Sequence, residues 1–306
     1  MIMFQQMIIL FILIMVGYIG NKFNIIDEIA NKNLSGIVVN IANPALIISG
    51  ALGNRGDIIA ENIIRSLLLS IIIFIVLIVI SFFIPHIIKS PKSDYGIYKM
   101  MTVFSNIGFM GFPIISAIYG SSSLLYASIF LIPYNVLIYT YGIAVIKQND
   151  GKKNKMNIKD ILNIGVIACI IMMIIYAFDL TFPEWCKTPI IYLSNLTAPL
   201  SMIVIGSSLA MIRFKDIFCD LRLLIFSLIK LIVIPVIGVL IIKVFVDDAV
   251  LRGICMIMLA APIGSMNAMM AREYCGNYEL ASRGVALSTI LSVCTLPLVS
   301  VITQVL

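Results

Sequence analysis

The sequence predicts an all-α membrane protein, a single domain of ten transmembrane helices, and two observations predict it. Of 306 residues, 61% are hydrophobic and only 12% are charged, and the mean hydropathy is +1.10. A soluble domain carries about a quarter charged residues and under half apolar ones, so lipid must be the solvent for most of this chain. The apolar residues also come in runs long enough to span a bilayer, recurring from one end to the other. No hydrophilic block is large enough to fold separately; the longest polar stretch, 147–160, is short and lysine-rich.

The runs place helices over 3–19, 34–52, 63–84, 98–119 and 124–146, then over 161–178, 190–211, 223–246, 251–274 and 280–305. The first resembles a signal peptide only superficially. It lacks a basic leading region and a small-residue cleavage site before Asn21, so it reads as an uncleaved helix. The second, seventh and ninth runs are interrupted by proline, glycine and asparagine.

The net charge of +6 does not point to nucleic acid, because the basic residues sit in short loops between apolar runs, where they signal orientation. Loops after odd-numbered helices hold 15 of the Lys and Arg residues, among them Lys22, Lys99, Lys152 and Arg213; those after even-numbered helices hold 5, among them Arg55 and Arg252. The odd loops are therefore expected in the cytoplasm and both termini outside, in a multi-pass protein of the plasma membrane. The cysteines (Cys169, Cys186, Cys219, Cys255, Cys275, Cys294) form no CxxC pair and read as packing residues.

The ten helices divide into two fives: a first repeat over 1–146, a cytoplasmic linker over 147–160, and a second repeat over 161–306. Asn40-x-x-x-Pro44 in the second helix is matched by Asn195-x-x-x-Pro199 in the seventh, both offset by 155 residues. Pro113 and Pro262 pair the fourth and ninth helices by position. An odd-numbered unit repeated once must be inverted in the membrane, and inverted repeats with interrupted helices in matching places point to a secondary transporter.

The fourth helix carries Asn106-Ile-Gly108-Phe-Met-Gly111-Phe-Pro113, and the ninth Ala260-Ala-Pro262-Ile-Gly264-Ser265-Met-Asn267. Proline removes a backbone donor and clashes with the preceding turn, and glycine weakens the helix further. Freed backbone groups in lipid need protein or a water-filled cavity to satisfy them. A break there leaves a half-helix N-terminus suited to an anion. If both breaks meet near the midplane, Asn106, Ser265 and Asn267 line one pocket; the alternative is a pair of ordinary proline kinks. Lys230 is the one charge placed well inside a span, about 12 Å along the helix from Arg222. It is either functional or snorkels to the cytoplasmic interface. No Asp or Glu falls near a midplane, which favours an anionic ligand. Asn135, close behind Pro133 in the fifth helix, is a further candidate.

Other chemistry finds no support. His86, read as a loop residue beside Pro85 and Lys89, has no second ligand, so neither a metal site nor a triad is expected. Walker A, HExxH and GxSxG patterns are missing from the sequence, so no enzyme activity and no cofactor are expected.

The segment Asn106 to Pro113 resembles the N-x-G-x-x-G-x-P motif of the auxin efflux carrier family, the bacterial relatives of plant PIN proteins. Ala261-Pro262-Ile-Gly264 through Ala271-Arg-Glu-Tyr274, Ser288-Thr-Ile-Leu-Ser292 and Leu296-Pro-Leu298 are similar to that family's ninth and tenth helices. Lys230 with Pro235 resembles its eighth, and Pro199 to Leu209 its seventh. The resemblance covers nearly the whole chain. It implies two inverted five-helix repeats related to the bile-acid sodium symporter architecture, with broken helices 4 and 9 crossing near the substrate. It also implies that Asn106 contacts a substrate carboxylate, that Pro113 and Pro262 mark the crossover, and that the core moves elevator-like against the first, second, sixth and seventh helices. The substrates it implies are malate, malonate or a similar carboxylate, or an auxin-like acid. The chain lacks the long central loop of plant members, so regulation there is not implied.

The expectation is thus a secondary carrier of a small organic anion, with Gly108, Gly111 and Gly264 completing the candidate site. A proton or sodium coupling ion and a homodimer are left open. A sodium-coupled solute symporter is the first alternative, since backbone carbonyls and amides can bind sodium at broken helices. The second is a non-transporting membrane sensor, whose mark would be a signalling domain that these 306 residues do not contain.

Overall fold

Every regular element among the described residues is helical, and the one β-type pairing is an isolated antiparallel bridge between Ser105 and Ile263. The computed structural model describes residues 2–52, 60–147, 164–211, 220–274 and 276–305. Arg55, most of the 147–160 linker with Lys152, and Arg213, Lys215, Cys219 and Cys275 lie outside them.

Among the described residues, six helical stretches are long and apolar enough to cross a membrane: Phe4–Lys22, Glu61–Ile87, Ser121–Ile146, Glu184–Ala210, Leu221–Phe245 and Tyr278–Thr303. In lipid each backbone group must be satisfied internally, which a helix does along its length. Glu61–Ile87 exposes large side chains such as Ile72, Ile75 and Val79, as a lipid-facing helix does. The other four expected spans are shorter or divided. The second runs as Glu28–Ile37 and Asn43–Ser49 joined by a π turn, and the sixth is described as Ile164–Ala177. The fourth and ninth are broken.

The breaks do not both fall at proline. In the fourth span Tyr95–Val103 ends, Phe104 to Asn106 leave the helix, and a π turn over Ile107–Gly111 leads into Phe112–Tyr119. Pro113 lies at the second residue of that last helix, so it interrupts nothing. Pro44 and Pro235 take the same place after the π turns Val38–Ala42 and Ile229–Val233. The wider i to i+5 turn relieves the clash with the carbonyl four residues back and absorbs the missing donor. Pro262, by contrast, lies in the gap between Ala249–Ala260 and Met266–Glu273. Ala261 before it is extended, at φ −58° and ψ 142°, as a residue preceding proline prefers.

Two other expectations are corrected. His86 is in the last turn of Ala60–Ile87, its Nδ1 3.0 Å from Phe82 O, because the apolar run continues through Pro85. Lys99, read as a loop residue, is buried in Tyr95–Val103 with its ammonium 4.5 Å from the centre of the Phe82 ring.

The chain packs as two units, each drawn from three segments. The first comprises Met1–Leu67, Ile107–Ile132 and Leu162–Met211; the second comprises Leu68–Asn106, Pro133–Ile161 and Ile212–Leu306. This is a division by packing, separate from the expected division by repeat. In the first unit, Ile2–Lys22 runs parallel to Thr197–Ala210 at backbone contact, their C-terminal ends side by side. Gly17 faces the Ile203 backbone and Gly206 that of Ile14. Small residues permit such approach where lipid offers no hydrophobic drive for helices to pair. Asn31 Nδ2 donates to Ser208 Oγ at 2.9 Å, and Lys22 Nζ caps Ala210 O at 3.1 Å. The second unit is built around the two breaks.

Candidate functional site

The unwound segments of the fourth and ninth spans pair with each other. Asn106 N donates to Pro262 O at 2.7 Å, and Gly264 N to Phe104 O at 3.0 Å, on either side of the Ser105–Ile263 bridge. Each segment thereby satisfies backbone groups that the other's break has released, as buried backbone requires. Ile263 N donates to Ser288 Oγ at 3.0 Å, tying the pair to Tyr278–Val305. Asn267 Nδ2 donates to both Phe104 O and Gly264 O, each at 2.8 Å. Its Oδ1, like Ser105 Oγ, is buried with no protein partner.

Of the ten candidate residues, the structure brings Asn106, Pro262, Gly264 and Asn267 together in this crossing. Asn106 and Asn267 are buried, and Ser265 is half-buried. Ser265 contributes a carbonyl: its oxygen accepts from Ala268 N and Met269 N, while Gly264 O accepts from Asn267 N. These bonds occupy N–H groups that sequence reasoning left free for a ligand. The positive end of the short helix remains, with fewer open donors than expected.

Lys230 joins the same group. It is fully buried, and its Nζ donates to Thr102 O at 2.9 Å. It therefore does not snorkel to an interface. Asn135 is buried in the same unit, next to Tyr134, whose ring meets Phe104 edge-on at 5.4 Å between centroids. Gly108, Gly111 and Pro113 belong to the first unit, where Gly108 lies beside Asn43 Nδ2.

Sequence reasoning missed Ser105 and Thr102. Both are ordinary polar residues in an apolar run, and only the location of the break, seven to nine residues ahead of Pro113, gives them a role. No Asp or Glu is buried among the described residues, while Lys99 and Lys230 are. The crossing can therefore present amide, hydroxyl and ammonium groups to a ligand, which suits a small anion.

The membrane transport protein family matches residues 2–300 of the chain. Over 224 residues the chain is 28% identical to an uncharacterized transporter of Methanocaldococcus jannaschii, covering 69% of this chain and 70% of that protein. It is 25% identical over 296 residues to an uncharacterized transporter of Methanothermobacter thermautotrophicus, covering 95% of each.

Proposed function

The chain belongs to the auxin efflux carrier family of membrane transport proteins, and from that premise we propose that it is a secondary carrier of a small organic anion, a malate- or malonate-like carboxylate or an auxin-like acid. The observation that carries the reading is the paired break in the second unit. Two unwound segments bond to each other amid buried amides and a buried lysine, with no buried carboxylate among the described residues. Asn106, at the end of one segment, is the residue assigned to the substrate carboxylate, with Asn267 and Gly264 holding the two segments together beside it.

The fold underlying this reading is ten helices in two inverted repeats, with a transport core moving elevator-like against the first, second, sixth and seventh helices. The first, second, sixth and seventh spans fall outside the unit that contains the bridge, which supports that assignment. Both termini lie outside the cell. A reporter fused within 151–157, outside the described residues, is expected to report a cytoplasmic location; an external signal overturns the orientation.

The carrier reading is tested by thermal denaturation of the purified protein with malate, malonate, indole-3-acetate or sodium chloride. One of the anions is expected to raise the melting temperature, and Asn106→Ala to abolish the rise. Stabilisation by sodium alone, unchanged in Asn106→Ala, overturns it.

A further inference from the structure

Lys230 holds a position that the broken helix itself creates. In a continuous α-helix the N–H of residue 106 would bond the carbonyl of residue 102. Here Asn106 N is turned to Pro262 O, which leaves Thr102 O, in the last turn of Tyr95–Val103, without its helical donor. Lys230 Nζ takes that donor's place at 2.9 Å. The lysine is fully buried, and none of the described ion pairs includes it. Its charge is met by a carbonyl at the negative end of a half-helix, where a cation is favoured. The side chain springs from the π turn Ile229–Val233, a widening of the helix often found at functional positions.

Unwound carbonyls and half-helix C-termini are where carriers with broken helices coordinate a free coupling cation. We infer that in this protein the Lys230 ammonium stands in that place as a tethered cation, so that the crossing is held and its charge balanced without sodium. This rests on the carrier reading and specifies its energetics: the anion site keeps a tethered cationic side chain as its neighbour, and a sodium gradient does not drive transport. The chemistry on the page supports it in two further ways. Ser105 Oγ and Asn267 Oδ1 are the buried side-chain oxygens without a protein partner at the crossing, and neither is a carboxylate that would hold a second cation strongly. The second buried lysine, Lys99, has its ammonium against the face of the Phe82 ring, so it is Lys230 that serves the break.

The test compares melting temperatures of the purified protein in sodium chloride and in choline chloride at equal ionic strength. The wild type is expected to melt at the same temperature in both. Lys230→Ala is expected to melt several degrees lower in choline chloride, and to recover part of the loss in sodium chloride or n-propylammonium chloride, cations small enough to enter the vacated space. A sodium-specific rise in the wild type overturns the inference, as does a Lys230→Ala protein that loses nothing or that neither cation restores. Should Lys230→Ala fail to fold, the wild-type comparison still decides. Lys230→Gln, which can donate to Thr102 O without the charge, then serves as the second variant and is expected to melt higher in sodium chloride than in choline chloride; equal melting overturns the inference. A protein that shows this pattern yet binds no carboxylate leaves Lys230 assigned and sinks the carrier reading instead.

Discussion

Gly264 lies so close to Ser105 that a β-carbon on it would be 3.0 Å from the Ser105 carbonyl oxygen and 3.3 Å from that of Phe104. Both neighbours are backbone, fixed by the bonds that pair the two breaks, so neither can swing aside. Gly264→Ala therefore forces the segments apart. Its cost is set by overpacking, about 1–3 kcal/mol, and should appear as a lower melting temperature together with weakened anion binding. Gly108→Ala is the control: its new carbon would meet the Asn43 side-chain amide at 3.1 Å, a group that can rotate away. Equal losses in the two variants would contradict the view that the crossing has no room.

Asn267 separates a structural role from a ligand role. Its Nδ2 serves two carbonyls at once, and Asn267→Ala takes from Gly264 O and Phe104 O one of the two donors each accepts from, at a cost of about 0.5–1.5 kcal/mol per bond. Asn267→Asp should be worse than Ala, because it sets an acceptor against two acceptors in a buried site. The ranking is read from thermal melts. If Asn267 is only a substrate ligand, both variants will melt like the wild type and lose affinity alone.

Gly206 tests the first unit. A β-carbon there would collide with the Ile14 carbonyl oxygen, and one on Gly17 would do the same at Ile203. Gly206→Ala should pry Ile2–Lys22 from Thr197–Ala210, lengthening the bonds Asn21 Nδ2 and Lys22 Nζ make to Ser207 and Ala210. The expected cost is again about 1–3 kcal/mol or more, seen as reduced yield of folded protein in detergent. Gly36→Ala, with open space around its α-carbon, should change nothing measurable.

How far the sequence revealed these features depends on the range of the signal. Apolar runs are local, so the six longest spans were legible, and so was the presence of interruptions in the fourth and ninth. The place of the fourth break was not. Proline marks it in sequence, but a π turn absorbs Pro113, and the chain unwinds instead at Phe104 to Asn106, where pairing with Pro262 and Gly264 compensates the lost helical bonds. That partner is over 150 residues away, and no local rule anticipates it. Asn106 was legible because an amide in an apolar run is conspicuous. Gly17 and Gly206 were not, since a glycine in a membrane helix takes its meaning from the helix opposite. Lys230 was visible as an anomaly, while its carbonyl partner was visible only in three dimensions.

The unequal use of the two prolines gives the last prediction. Pro113 follows a π turn within a helix that is already complete, so Pro113→Ala restores a donor and lets that turn tighten toward α geometry. It should raise thermal stability slightly or leave it unchanged. Pro262 instead holds Ala261 in the extended region, and Pro262→Ala frees Ala261 to continue Ala249–Ala260. That continuation would carry the residue-262 carbonyl away from Asn106 N and dissolve the Ser105–Ile263 bridge. Pro262→Ala should therefore abolish the anion-induced rise in melting temperature, whereas Pro113→Ala retains most of it. The reverse order, with Pro113 the more sensitive, would place the functional break at the π turn instead of at the crossing.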